Sequence, residues 1–154
     1  MTIFAMDTIL KESLMKAAMD EAQKAIHEWN SPFSVVIVDR EWNIVMTDHN
    51  TSYTENDPTA HAEINAIRKL CKQLATRNLD WYCLISNAES CPMCMTAAIK
   101  ANIQHFIFGA TIELDSNPYI TVRDIAKYSK NSLYIETGVL KAECEKQISA
   151  ARKK

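Results

Sequence analysis

The segment "FSVVIVD", residues 33–39, is an almost unbroken run of apolar and β-branched residues. Such a run is typical of a strand that is buried on both faces of a sheet. The next segment, "DREWN", turns the chain into "IVMTDH" (44–49), where apolar and polar residues alternate as they do in a half-covered strand. We expect these two strands to pair as a hairpin.

Helices and strands alternate outward from this hairpin. Residues 7–29 place apolar side chains at helical spacing, and Asp57 before Pro58 predicts the N-cap and first position of a second helix. Further strands are predicted at 81–86, 104–110 and 132–137, and further helices at 92–101, 120–128 and 139–153. This order predicts a three-layer α/β/α fold with a central, mixed, mostly parallel five-stranded sheet. We expect one domain over 1–154, because no repeat or linker interrupts the pattern.

Composition excludes several classes of protein. The chain has 154 residues, 47% of them hydrophobic, with a net charge of -2, which indicates a globular protein without global attraction to nucleic acid. It contains only two glycines, Gly109 and Gly138, so a glycine-rich phosphate loop is excluded. No apolar run approaches the ~20 residues of a membrane span, and the first residues lack the pattern of an export signal. We therefore expect a cytoplasmic protein that does not bind membranes.

The cysteines point to chemistry rather than to disulfides. Their number, five, is odd, which argues against a disulfide framework in a chain without an export signal. Cys71, Cys83 and Cys144 lie in apolar or helical surroundings and are expected to be small buried residues. Cys91 and Cys94 differ, because a C-x-x-C pair is typical of metal sites and of redox sites.

Two predicted helix starts carry the candidate site. Pro92 suits the first helical position, so Cys91 falls at the cap and Cys94 in the first turn, where the helix dipole favours thiolates. His61 lies near the start of the other helix. Each helix follows a strand, so we expect both starts at the same edge of the sheet.

This set of side chains predicts catalytic zinc. One nitrogen and two sulfur ligands suit Zn²⁺, and a site with three protein ligands leaves a position for water. Glu63 follows His61 too closely to be a comfortable fourth ligand, and it is well placed to move the protons of that water. The alternatives are a redox pair, half of a structural zinc site, or solvated helix termini. A redox pair would leave His61 and Glu63 unexplained, and a structural site would need two more ligands.

The two motifs together resemble the signature of the zinc-dependent cytidine-deaminase-like superfamily. They stand here as "DPTAHAEINAIR" (57–68) and "ESCPMCMTAAI" (89–99). "FIFGA" (106–110) resembles a strand downstream of the metal site, and "IETGVLKAECEKQI" (135–148) resembles the closing strand and helix of the bacterial purine-type branch. The resemblance runs over nearly the whole chain and implies a cytidine deaminase-like fold.

The resemblance also implies roles for particular residues. His61, Cys91 and Cys94 would hold Zn²⁺, and Glu63 would carry protons to the ring nitrogen and to the departing ammonia. For the substrate, it implies contacts from Asn50, whose carboxamide can donate and accept, from backbone N–H groups near Ala62 and Cys91, and from Asp115 in "FGATIELD" (108–115). Members of this branch are commonly homodimers, so a homodimer is implied as well.

The chain departs from the family pattern at three positions. Ser90 stands where the signature has proline, and we expect only a freer loop from this change. Ser34 and Val35 stand where relatives usually have glycine and alanine, and we expect them to add bulk near the pocket floor.

These observations predict a hydrolase that acts on C–N bonds of cyclic amidines. Our first expectation is a deaminase of a free nucleobase or small nucleoside-like heterocycle in purine metabolism, with guanine as the first substrate. The alternative is a tRNA-specific adenosine deaminase, although those enzymes usually have a basic residue and a glycine-rich loop where this chain has Thr111, Ile112 and Glu113. A third reading is an inactive partner subunit, but such proteins typically lose the glutamate that is present here as Glu63.

Overall fold

The computed structural model describes residues 6–111 and 116–152, which form five helices and five strands within those ranges. In chain order they are α1 (Thr8–His27), β1 (Ser34–Val38), β2 (Ile44–His49), α2 (Ala62–Leu74), β3 (Cys83–Ala88), α3 (Pro92–Lys100), β4 (His105–Ala110), α4 (Val122–Ala126), β5 (Tyr134–Glu136) and α5 (Lys141–Arg152). The predicted order of elements is confirmed, and apart from the start of α2 the bounds differ by no more than a couple of residues.

The five strands form one sheet in the order β2-β1-β3-β4-β5. Strand β1 is antiparallel to both β2 and β3, whereas β3, β4 and β5 are parallel to one another. The sheet is therefore mixed and mostly parallel, as predicted: β2, β3, β4 and β5 run in one direction, and β1 is the one strand of the five that the hairpin reverses. As a result β2 and β3 run in the same direction, and their carboxyl ends lie at the same edge.

Helices cover both faces of the sheet, which confirms the three-layer prediction. Val36 and Val38 of β1 point to the face covered by α1 and α5. Val35 and Ile37 point to the face covered by α2, α3 and α4. All five residues of β1 are buried. This double burial explains why the strand reads as a continuous apolar run rather than an alternating one.

Helix α2 begins at Ala62, four residues after Pro58, so the predicted cap at Asp57 is wrong. The Asp57 side chain instead accepts hydrogen bonds from the backbone N–H of Thr59 at 2.8 Å and from its hydroxyl at 2.7 Å. This local turn competes with helix formation, as short polar side chains often do. The helix can start only after the turn, and His61 becomes its N-cap residue.

Neither a disulfide nor a membrane-spanning helix is found among the described residues. All five cysteines are free thiols, so none forms a disulfide. Within residues 6–111 and 116–152, no helix has both the length and the apolar character needed to cross a membrane.

Candidate metal centre and active site

The three predicted metal ligands lie together. His61 Nδ1 is 3.6 Å from Cys91 Sγ and 3.4 Å from Cys94 Sγ, and the three ligand atoms all lie within 4.8 Å of one another. In a tetrahedral zinc site, with metal–sulfur bonds of ~2.3 Å and metal–nitrogen bonds of ~2.0 Å, nitrogen and sulfur ligands are about 3.5 Å apart. The observed spacing therefore fits one Zn²⁺ ion, with a fourth position left for water.

The sheet brings these ligands together. His61 is the N-cap of α2 and Cys91 the N-cap of α3, and both caps have extended backbone conformations. Pro92 occupies the start of α3, as predicted, and Cys94 lies in the first turn. Because β2 and β3 end at the same edge, the two helices start side by side, and their dipoles favour thiolates at this point.

The two cysteines share a proton when no metal ion neutralises them. The pKa of Cys91 is lowered to about 4, mainly by a hydrogen bond from Cys94 and also by one from His61. The pKa of Cys94 is raised well above its ordinary value by the same bond and by burial. Zinc requires both sulfurs as thiolates, so metal binding releases the shared proton.

Glu63 lies beside this centre as a buried carboxyl group. It is 6% exposed, and burial raises its pKa above the ordinary glutamate value. A raised pKa suits a group that must take up and return protons near neutral pH. Glu63 Oε1 accepts a hydrogen bond of 2.7 Å from the hydroxyl of Ser90. The sequence predicted only a freer loop at Ser90, because the family signature has proline there and no local pattern indicates that the serine hydroxyl reaches Glu63.

A cavity of about 270 Å³ opens onto the metal centre. Its lining combines ligands, polar groups and a few apolar side chains: Phe33, Asn50, His61, Glu63, Ser86, Ala88, Glu89, Cys91, Thr111, Ser116, Ile148 and Arg152. Two of these, Ile148 and Arg152, belong to α5, which therefore forms one wall of the cavity. The sequence analysis did not predict this wall, because nothing in the pattern of the last helix indicates which strand it packs against.

Asn50 lines the cavity, and its carboxamide offers a donor there. Its Oδ1 accepts hydrogen bonds from the backbone N–H of Ser52 at 3.0 Å and from the Ser52 hydroxyl at 2.8 Å. These two bonds use both lone pairs of the carbonyl oxygen. Nδ2 has no hydrogen-bond partner within the described ranges, so it can donate to a ligand. The donor half of the predicted contact with a base is therefore available, whereas Ser52 occupies the acceptor half, and the contact itself stays a prediction.

Of the other two predicted substrate contacts, one lies in the core and the other lies outside the described residues. Ala62 is fully buried at the start of α2, and its side chain packs in the core rather than in the cavity lining. Its backbone N–H belongs to the first helical turn, where N–H groups have no partner within the helix. Asp115 lies outside the described residues.

Ser34 and Val35 do not narrow the pocket, so that expectation is wrong. The Ser34 hydroxyl donates to the backbone carbonyl of Ala18 in α1. Val35 packs on the opposite face of the sheet, under α2. Neither residue lines the cavity, whereas the preceding residue, Phe33, does.

Comparisons with known proteins agree with this site. The family described as "Cytidine and deoxycytidylate deaminase zinc-binding region" matches residues 9–110. The tRNA-specific adenosine deaminase of Haemophilus influenzae is 32% identical over 139 residues, which cover 90% of this chain and 80% of that enzyme. The guanine deaminase of Bacillus subtilis is 38% identical over 100 residues, which cover 64% of each chain.

A solved structure supports the same assignment. It comes from a study of A-to-I editing by tRNA:A34 deaminases at the wobble position of transfer RNA. It shares 26% sequence identity with this chain, superposes with a TM-score of 0.79, and the match covers 88% of this chain and 98% of that one. Fold, ligand set and sequence therefore agree, and the chain belongs to the zinc-dependent cytidine and deoxycytidylate deaminase family, in the purine-type branch that includes tRNA adenosine deaminases and guanine deaminase.

Proposed function

We propose that the protein hydrolyses the amino group from a purine, and that its substrate is adenosine in tRNA. The observation that carries the deaminase activity is the buried Glu63 carboxyl group beside the His61, Cys91 and Cys94 cluster. The relatives favour the tRNA substrate, since the Haemophilus influenzae enzyme aligns over 90% of this chain and the Bacillus subtilis guanine deaminase over 64%. The tRNA alternative thus takes precedence over the guanine reading that came first from the sequence.

The side chains around the cavity divide the work of the reaction. His61, Cys91 and Cys94 would hold Zn²⁺, which would lower the pKa of a water molecule to about 7 and so supply hydroxide at neutral pH. Glu63 would take one proton from the water and give it to the ring nitrogen, then take the second proton from the hydroxyl group added to the ring and give it to the amino group, which leaves as ammonia. The Asn50 Nδ2 group donates to an acceptor on the purine edge and orients the base. Ile148 packs at the cavity wall and limits the access of bulk water.

A second cavity next to the first supports a substrate larger than a free base. It has a volume of about 460 Å³ and is lined by Ile26, His27, Trp29, Asn30, Ser31, Pro32, Tyr53, Ala151 and Arg152. Trp29 is 80% exposed and Tyr53 is 71% exposed, and Arg152 lines both cavities. Exposed aromatic rings and arginine are the side chains on which unpaired bases stack. Nucleotides that flank the target adenosine would find such rings here.

Hydrogen bonds of the Asn30 side chain join the two backbone segments that carry Trp29 and Tyr53. Asn30 Oδ1 accepts from the backbone N–H groups of Tyr53 and Thr54, each at 3.1 Å. Its Nδ2 donates to the Thr54 hydroxyl at 3.1 Å. These bonds tie the Tyr53 loop to the turn that carries Trp29. The spacing of the two backbone segments is therefore set before a substrate binds, which lowers the entropic cost of binding.

Free guanine is the second candidate substrate. The net charge of -2 favours it, because binding of a nucleic acid depends on contacts between cations and phosphates. The similarity to the Bacillus subtilis guanine deaminase also favours it. An inactive partner subunit is disfavoured, because the structure holds Glu63 next to a complete set of ligands.

An ammonia-release assay separates these candidates. The zinc-loaded protein is given guanine, adenine, cytosine, their nucleosides, and an anticodon stem-loop with adenosine at the wobble position. We expect ammonia and inosine from the stem-loop. Ammonia from guanine alone would favour the second candidate, and no ammonia from any substrate would favour the inactive subunit.

Variants of the aromatic residues test the second cavity in the same assay. We expect Trp29→Ala and Tyr53→Ala to raise KM for the stem-loop about tenfold each, since stacking of a base on an aromatic ring is worth ~1–3 kcal/mol. Tyr128→Ala is the matched control, because Tyr128 is 88% exposed and lines neither cavity. Equal effects of all three substitutions would argue against nucleotide binding in the second cavity.

Three further properties are part of this proposal. We propose a single deaminase domain over residues 1–154, a homodimer, and a cytoplasmic location. The domain is supported by one sheet that both α1 and α5 cover, and the location by five free thiols. The homodimer rests on family resemblance, and light scattering after size-exclusion chromatography tests it.

A further inference from the structure

We propose that Ser90 is a positioning residue for Glu63: its hydroxyl holds Oε1 of the carboxyl group, so that Oε2 is the oxygen that exchanges protons with the substrate. This inference rests on the proposed function, which gives Glu63 the role of proton carrier. It concerns a position at which the chain departs from the proline of the family signature.

The contact between the two residues is short and buried. The distance from Ser90 Oγ to Glu63 Oε1 is 2.7 Å, Ser90 is 2% exposed and Glu63 is 6% exposed. A hydrogen bond from a hydroxyl to a carboxylate is stronger than one between neutral groups, and low local dielectric strengthens it further. Within residues 6–111 and 116–152, this is the one hydrogen bond that the Ser90 hydroxyl makes.

The position of Ser90 in the fold makes this contact useful. Ser90 directly precedes Cys91, the N-cap of α3, and Glu63 follows His61, the N-cap of α2, by two residues. The bond therefore connects the start of α3 to the Glu63 carboxyl group in the first turn of α2. It links the two helix starts that carry the metal ligands. It spans 27 residues of sequence between elements that the sheet sets side by side.

Glu63 needs such a partner because its carboxyl group rotates easily about the last bond of the side chain. The torsion angle about this bond is distributed broadly in glutamate side chains, with roughly two-fold symmetry, and has no sharply preferred values. A bond to one oxygen selects one orientation of the carboxyl plane and assigns the other oxygen to the reaction. Proton transfer depends on that orientation, so a loss of alignment lowers kcat more than it changes substrate affinity.

The test compares Ser90→Ala, which removes the hydroxyl, with Ser90→Thr, which retains it. The zinc-loaded enzymes are assayed for kcat and KM of ammonia release, and zinc content and melting temperature are measured on the same samples. We expect Ser90→Ala to lower kcat about tenfold, as for the loss of one hydrogen bond to a charged group, with KM and zinc content unchanged. Ser90→Thr should keep most of the wild-type kcat, because it retains the hydroxyl group.

A double-mutant cycle distinguishes positioning from a general effect on the fold. In a Glu63→Gln background, where the proton carrier is already absent, Ser90→Ala should cause no further loss of the residual rate. An equal loss in both backgrounds would show that Ser90 acts through the fold, and would overturn the inference. A wild-type kcat for Ser90→Ala would also overturn the inference about Ser90, but it would leave the proposed deaminase function intact. If the unmodified enzyme releases no ammonia from any purine, the proposed function fails and the inference fails with it.

Discussion

Replacement of Gly109 by alanine tests how tightly α5 packs on the sheet. A Cβ atom at this position of β4 would lie 2.5 Å from Cys144 Sγ and 2.8 Å from the backbone oxygen of Asn87. Ordinary van der Waals contacts begin at 3.4 Å, so both neighbours would have to move. Cys144 is fully buried in α5, and Asn87 belongs to the central strand β3. The Asn87 oxygen can give way only if β3 moves, and the Cys144 sulfur would have to rotate within a fully buried site.

The size of the effect follows from this geometry. Overpacking of a core by one carbon atom costs about 1–3 kcal/mol. We expect a value near the upper end, about 3 kcal/mol, because one of the two clashes is with the backbone of a paired strand. For a protein of this size, that corresponds to a fall in melting temperature of roughly 6–12 °C. Urea denaturation followed by tryptophan fluorescence measures the free energy, and thermal unfolding followed by circular dichroism measures the shift.

Two further variants show whether close packing is the cause. Cys144→Ala in the Gly109→Ala background removes the sulfur but leaves the clash with the Asn87 carbonyl, so it should restore only part of the stability. Gly138→Ala places the same methyl group where nothing lies within 4 Å and only the positive φ of 83° opposes it, which costs about 1 kcal/mol. If Gly109→Ala is as stable as the wild type, or no less stable than Gly138→Ala, the packing argument is refuted.

Three other predictions concern the metal centre and a partly buried histidine, His49. Glu63→Ala should keep its zinc and its melting temperature but lose about 10²–10⁴ in kcat, and near-normal turnover would remove Glu63 from its role. His61→Ala and Cys91→Ser should each lower the zinc content measured by atomic absorption, whereas full occupancy in both would contradict the ligand set. Burial lowers the pKa of His49, but its hydrogen bonds of 2.7 and 2.8 Å to two glutamates outweigh burial and raise it. His49→Gln should therefore lower the free energy of unfolding most below a pH of about 6.5. The difference from wild type should shrink as pH rises through the pKa of His49 in the folded state. A difference that does not depend on pH would rule out this explanation.

Local sequence patterns predicted most of the fold but misplaced one helix start. Each β-strand has a compositional signature that depends on its own burial, and β1 shows it most clearly. The start of α2 was misjudged because Asp57 and Pro58 have the residue types of a helix cap, while the competing turn through Thr59 depends on hydrogen-bond geometry. His61, in turn, caps the helix without a side-chain hydrogen bond, since its ring faces the two cysteines.

The ligands of the site were predictable, whereas its walls were not. His61, Cys91 and Cys94 could be identified because metal binding requires particular side chains at particular spacings. The cavity wall formed by α5 depends on how distant segments pack, and no local pattern encodes that packing. The contact of Ser90 with Glu63 lies between these cases: the unusual residue was visible in the sequence, but its partner was not.

The position of β1 between β2 and β3 has a consequence for the order of folding and metal binding. The histidine ligand, His61, follows β2, and the two cysteine ligands follow β3. Strand β1 separates these two strands in the sheet. A nascent chain whose hairpin has not yet joined β3 therefore presents the two sulfurs without the imidazole. Tight retention of the ion therefore requires the pairing of β1 with β3, a long-range pairing of the kind that forms slowly. Metal uptake during biosynthesis would thus report that tertiary assembly has been completed.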